Sequence, residues 1–182
     1  MHDFTRMISV LFIACGLAAG SLSLVNAVTK HPIEVHEQEQ REAALREVSP
    51  DADEFKEITP GKVWEALRNG QKAGHVFLVQ VRGYSSSGPI TLMLGIDSEG
   101  VVTGLQVLSH TETPGLGAKI AAPQFRDQFR NKRLEQLILK KDDPAKGQID
   151  AVTGATISSR AVTTALRSTL ESFNKEKAGE GK

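Results

Sequence analysis

The chain has 182 residues, with 22 Lys+Arg against 22 Asp+Glu and a formal net charge of zero. That length suits one domain with room for a real core, and the balanced charge gives no electrostatic case for a nucleic-acid partner. A single cysteine, Cys15, excludes an intramolecular disulfide or a thiolate metal cluster, and the five scattered histidines contain no His-x-x-x-His pair to clamp a metal.

Residues 7–28 carry no charge and are mostly apolar. About 20 such residues in a helix cross a hydrocarbon core of roughly 30 Å. Gly16, Ala18, Ala19, Gly20 and Ser21 would allow close packing against another membrane helix. Three readings fit: a retained anchor, a secretory signal cleaved near Val25-Asn26-Ala27, or a lipid on Cys15. The retained anchor is adopted; the lipid is disfavoured because Phe12-Ile13-Ala14 is a poor match and the apolar run continues well past Cys15. Arg6 precedes the span and Lys30, Arg41 and Arg46 follow it, so flanking charge does not set its orientation.

Residues 33–48 are rich in Glu, Gln, Arg and Ala and predict a solvated helix with a thin apolar stripe of Val35, Ala43, Leu45 and Val48. Ser49-Pro50-Asp51-Ala52-Asp53 reads as a linker. Thr59-Pro60-Gly61 then predicts a short helix through Trp64, Ala66 and Leu67, ended by Asn69-Gly70. Three strands follow, over 75–83, 89–96 and 101–108. The second puts Ile90, Leu92, Leu94 and Ile96 on one face. Links this short make an antiparallel meander.

Residues 110–119, His-Thr-Glu-Thr-Pro-Gly-Leu-Gly-Ala-Lys, form an irregular loop directly after a strand, where binding residues tend to sit. A helix over 123–130 puts Phe125 and Phe129 on one face. A short strand is expected over 134–139, then a polar loop, Lys140 to Gly147. A helix over 157–173 buries Val162, Leu166, Leu170 and Phe173, and the charged tail 175–182 is expected to fray.

The stretch that organises the rest is Asp150-Ala151-Val152-Thr153-Gly154-Ala155-Thr156-Ile157-Ser158-Ser159. Gly154 permits a turn with positive φ. A helix starting just after it leaves its first amides unpaired at the positive end of the dipole, which makes an anion site. There is no Walker lysine and no three-glycine dinucleotide turn. A hydroxyl at the centre of such a nest suits a phosphoester, and an ordinary helix N-cap is the alternative.

Thr153-Gly154-Ala155-Thr156-Ile157-Ser158-Ser159 resembles the [Ser/Thr]-Gly-Ala-Thr-x-x-[Ser/Thr] signature of the FMN-binding domain family, which contains the G subunits of Rnf electron-transport complexes and the C subunits of sodium-pumping NADH:quinone reductases. The Glu112-Thr113-Pro114-Gly115-Leu116-Gly117 loop, Arg82-Gly83-Tyr84 and Gly88-Pro89-Ile90 match the family too, so the resemblance runs from about residue 74 to 173 and lies nearer the G subunits. The resemblance implies FMN esterified to Thr156 by a flavin transferase, with Thr153, Gly154, Ala155, Gly117 and Ser159 in the cofactor site. It implies that Thr113 and Leu116 touch the isoalloxazine ring, with Glu112 and Lys119 nearby.

It also implies an electron-carrying component of an ion-translocating, ferredoxin:NAD⁺-type oxidoreductase in the cell (inner) membrane. Its partners would be other subunits carrying flavin and iron–sulfur centres, and the flavin domain would lie outside the cytoplasm. No independent turnover is expected. A membrane-tethered sensor or assembly module using the same domain is the alternative. The expected architecture is α+β: a single-pass anchor (1–30), a juxtamembrane helix and linker (31–54), one small domain with an antiparallel sheet flanked by helices (55–174), and a disordered tail (175–182).

Overall fold

The computed structural model describes residues 2–180, apart from the side chains of residues 2–3, 31–35 and 180. Helix α1 runs His2–Val48. Strands β1 (Glu54–Thr59), β2 (Val63–Arg68), β3 (Gln71–Val81), β4 (Ile90–Asp97) and β5 (Val102–Ser109) follow. Helix α2 is Pro123–Arg126, and helix α3 is Thr156–Glu180. The chain divides into two compact units, one ending at Arg41 and one beginning at Glu42.

In the first unit, Phe4–Lys30 is long and apolar enough to cross a membrane, and none of it is buried. Its 27 residues span about 40 Å at the helical rise, more than the roughly 30 Å of a hydrocarbon core.

The second unit is a five-stranded antiparallel meander in the order β1-β2-β3-β4-β5. Alternation along β4 assigns its two faces. Ile90, Leu92, Leu94 and Ile96 join Val162, Leu166, Leu170 and Phe173 of α3, together with Phe125 and Phe129. Met93 points the other way and packs with Trp64, Val76, Ala44, Leu45 and Val48. Both faces are therefore covered. The second cover is the last part of α1, which approaches closely because Gly95 and Gly104 stand opposite each other in the ladder. A methyl group on either would run into the Val48 backbone. Thr103 Oγ1 donates to the Val48 carbonyl at 2.5 Å, and Arg126 Nη1 donates to Glu47 Oε1 at 2.9 Å.

Several sequence expectations change here. The short helix through Trp64, Ala66 and Leu67 is strand β2. Trp64 and Ala66 are buried two residues apart on one face, and β2 is paired on both sides. Asn69 and Gly70 both have positive φ, 52° and 73°, so they form a hairpin turn to β3 and not a helix end. Residues 42–54 cluster with the globular unit. There the buried stripe is Ala44, Leu45 and Val48; Ala43 is exposed, and the side chain of Val35 lies outside the described residues.

The expected helix over 123–130 is one α-turn followed by a tighter turn over Asp127–Phe129, yet Phe125 and Phe129 still meet edge to face at 5.2 Å. The expected strand over 134–139 is a tight turn, Leu134–Gln136, and then a single bridge from Leu139 to Ile149. Helix α3 continues to Glu180, with Lys177 Nζ donating to the Ser98 carbonyl at 2.6 Å; residues 181–182 lie outside the described residues.

Candidate functional site

Two loops meet beside the N-terminus of α3. One is the exit from β5, residues 110–117. The other is the turn 150–155. At the second, the Ala155 N–H donates to the Val152 carbonyl at 2.9 Å and Gly154 has φ 78°. A residue with a β-carbon is strained there, and that carbon would also press on Leu116 Cδ2 at 3.0 Å. Gly154 thus lets the turn form and lets the first loop close on it.

Ser159 fastens the turn from inside. Its Oγ accepts from the Val152 N–H at 3.0 Å and donates to the Ala155 carbonyl at 2.9 Å. The first helical bond of α3 runs from the Ser159 N–H to the Ala155 carbonyl. The amides of Thr156, Ile157 and Ser158 precede it, and they are the donors that a helix start leaves without an intrahelical partner.

Glu112 ties the first loop to α3 and to the 84–88 loop. It is 5 % exposed. Its Oε2 accepts from Ser158 Oγ at 2.5 Å, and its Oε1 accepts from the Ser85 N–H at 3.0 Å. Gly83 and Gly117 flank the carboxylate, and a methyl group on either would overlap it. A carboxylate near a helix N-terminus is also favoured by the helix dipole. Glu112 is therefore the buried pin holding the 110–117 loop, the 84–88 loop and the start of α3 together.

These contacts frame a cleft of about 450 Å³, lined by Tyr84, Glu112, Thr113, Leu116, Gly117, Lys141 and the segment from Gly154 to Ser158. Its rim is apolar. In the globular unit, four large hydrophobic side chains are exposed among the described residues: Ile58, Tyr84, Leu116 and Ile157. Three of the four stand on this cleft. Beside them stands a polar pair, in which Thr156 Oγ1 accepts from Lys141 Nζ at 3.1 Å.

Of the residues expected at the site, Glu112, Thr113, Leu116, Gly117, Gly154, Ala155 and Thr156 line this cleft. Ser159 is buried behind it as a brace, and Thr153 is exposed and outside the lining. Lys119 lines a neighbouring groove with Phe125, Gln128 and Val152. Sequence reasoning does not assign Tyr84, Lys141, Ile157 or Ser158 to the cleft. Tyr84 has a signal, since it ends one of the family-like tripeptides. Lys141 has none, since it lies in a polar loop 15 residues from its partner.

Comparison with known proteins places the chain in a family. The FMN-binding domain family matches residues 83–171, the stretch that contains every element of the cleft. The G subunit of the ion-translocating oxidoreductase complex of Methanosarcina acetivorans is 33 % identical, over 93 % of this chain and 94 % of that protein. This chain belongs to the same G-subunit family. A second member, the G subunit of the proton-translocating ferredoxin:NAD(+) oxidoreductase complex of Clostridium ljungdahlii, is 34 % identical over 88 % of this chain and 86 % of that one. Among solved structures, the C subunit of the Na(+)-translocating NADH-quinone reductase from Parabacteroides distasonis superposes with a TM-score of 0.51 at 26 % identity. That match covers 62 % of this chain and 60 % of the other.

The residues of this G-family chain fit a flavin mononucleotide. An anionic phosphate suits the Lys141 ammonium and the first-turn amides of α3, and a flat apolar ring system suits Tyr84, Leu116 and Ile157. The volume lies within the roughly 300–1,000 Å³ usual for small-molecule sites.

Proposed function

We propose that this protein is the electron-carrying flavoprotein component of a membrane-bound ion-translocating oxidoreductase, and that it holds FMN as a phosphodiester on Thr156. The observation that carries the reading is the composition of one cleft. The threonine hydroxyl, a cation and the first turn of a helix line it, together with three of the four large hydrophobic side chains that the globular unit exposes among the described residues. That combination matches the two ends of FMN. The comparisons support the rest: the relatives are named as subunits of ion-translocating oxidoreductase complexes.

When bound, FMN supplies the redox chemistry, and the protein supplies position and electrostatics. Helix amides stabilise an anion by about 0.3–2 kcal/mol, too little to retain a cofactor alone. An ester bond does the retaining, which permits a shallow site open to neighbouring redox centres. Thr113 and Leu116 contact the ring in this reading. The span Phe4–Lys30 anchors the protein in the membrane with its flavin domain on the extracytoplasmic side. Its partners are flavin- and iron–sulfur-bearing subunits of a ferredoxin:NAD⁺-type complex, and a flavin transferase matures it.

The decisive measurement is the intact mass of the full chain made with and without a flavin transferase. The expected gain is one FMN less one water, accompanied by a fluorescent flavin band on a denaturing gel. Both disappear in Thr156→Val. An unchanged mass in the wild-type chain removes the covalent reading. Protease treatment of intact cells stripped of their outer layers tests the orientation: the flavin domain is cleaved if it lies outside, and protection overturns that assignment.

A further inference from the structure

Lys141 reaches Thr156 from a segment that no motif covers, and the structure fixes it there from both sides. On one side, Asp142 is gripped by Arg160 through two bonds, Nε to Oδ2 at 2.9 Å and Nη2 to Oδ1 at 2.5 Å. On the other, Lys140 pairs with Asp150 at 2.7 Å, and its N–H donates to the Ile149 carbonyl at 2.9 Å. Arg160 stands four residues after Thr156 on α3, one turn along the same face. The helix that presents the hydroxyl therefore also holds the loop that presents the ammonium.

The charge arrangement is selective. The acids near Lys141 are each engaged: Asp142 with Arg160, Asp150 with Lys140, and Asp143 with the N–H groups of Ala145 and Lys146 at 3.1 Å. The ammonium, whose charge also acts on Asp142, makes its hydrogen bond to a hydroxyl oxygen. An ammonium already carries its full complement of protons and cannot act as the base for that hydroxyl. What it offers is positive charge and donors beside an atom that would carry an anion.

We propose that Lys141 is the cationic partner of the phosphoryl group at Thr156, during attachment and afterwards, and that the Asp142–Arg160 clamp positions it. This rests on the covalent reading above. In the attachment step, Thr156 Oγ1 forms a bond to the flavin-side phosphorus of a flavin–adenine dinucleotide. The phosphoanhydride P–O bond breaks, and AMP departs with the electron pair. The hydroxyl proton goes to solvent or to the transferase. Lys141 neither gains nor loses a proton. Its charge offsets that of the non-bridging oxygens as the Oγ1–P bond forms, and it remains beside the phosphodiester.

The test follows mass gain with time for the full-length chain incubated with flavin transferase and flavin–adenine dinucleotide, together with the melting temperature of each flavin-free variant. Lys141→Gln should slow the initial rate about tenfold, a modest loss for a donor at an exposed site. Lys141→Arg should restore most of the rate, because it keeps charge and donors. Arg160→Gln should fall between wild type and Lys141→Gln. All three should melt close to wild type, as surface changes usually do.

Wild-type labelling by Lys141→Gln overturns the assignment while leaving the covalent reading intact, and equal slowing in the Gln and Arg variants argues against a charge role. Wild-type labelling by Arg160→Gln removes the clamp from the account. Absence of mass gain in the wild-type chain defeats the covalent reading itself, so the two failures are distinguishable.

Discussion

Two regions of this protein expose apolar side chains, and they do so differently. Along Phe4–Lys30 exposure continues all round the helix: Phe4, Leu11, Phe12, Leu17 and Leu24 are each more than half exposed. In the globular unit it is concentrated at Tyr84, Leu116 and Ile157, around one cleft. A helix apolar in every direction over this length is suited to a hydrocarbon core. An apolar rim around a cation and a hydroxyl asks for a ligand that is flat and apolar at one end and anionic at the other. The distribution of exposed hydrophobic area, more than its amount, separates an anchor from a binding site.

The comparison can be broken at its larger end first. Paired substitutions Leu11→Lys and Leu17→Lys place two charges inside the span, at about 2.5–3.5 kcal/mol each for membrane insertion. The protein should leave the membrane fraction, and undiminished recovery in membranes would falsify the anchor assignment. Next is the pin behind the cleft. Glu112→Ala leaves Ser158 Oγ and the Ser85 N–H without their acceptor in a buried setting. A loss of about 1–3 kcal/mol is expected in denaturant unfolding of the globular unit, and Glu112→Gln should lose less, since its amide oxygen still accepts.

At the rim, Leu116→Ala should keep the flavin attached and shift its midpoint potential, because an exposed side chain contributes little to the core and much to the ring's surroundings. Unaltered redox titrations would count against that contact.

The smallest expected effect is in pH. The Arg160 hydrogen bonds and charge hold the Asp142 carboxyl below the usual carboxylate range, and Asp142 in turn raises Arg160 further above neutrality. A carboxylate with a lowered folded pKa contributes stability that is present above its unfolded pKa and is lost as pH falls through the folded value. The clamp should therefore persist through the range where free carboxylates titrate and release only at lower pH. A carboxyl-carbon NMR titration of Asp142 reads this directly, and because the pair is solvent-exposed the change in melting temperature should be slight.

Much of the molecule is legible without coordinates, for identifiable reasons. The period-two face of Ile90, Leu92, Leu94 and Ile96 and the helical spacing of Val162, Leu166, Leu170 and Phe173 are local patterns, and both form the core. Strand β2 is misread from sequence because Trp64, Ala66 and Leu67 are spaced acceptably for either a helix or a strand. Pairing with β1 and β3 decides the matter, and pairing is not local. At the site, the motif singles out Thr156, but only the fold makes Ser159 a buried brace behind the cleft and not part of its lining.

The sequence by itself determined the apolar span, the glycine that turns with positive φ, the hydroxyl at the start of the last helix and the irregular loop after the last strand, because each depends on neighbours a few residues away. Only the tertiary structure decided that Glu112 is a buried pin, that Tyr84 and Ile157 complete an apolar rim, and that Lys141 stands at Thr156 Oγ1. Those facts join side chains from separate strands, loops and a helix, and a chain must be folded before residues so far apart along it can share one surface.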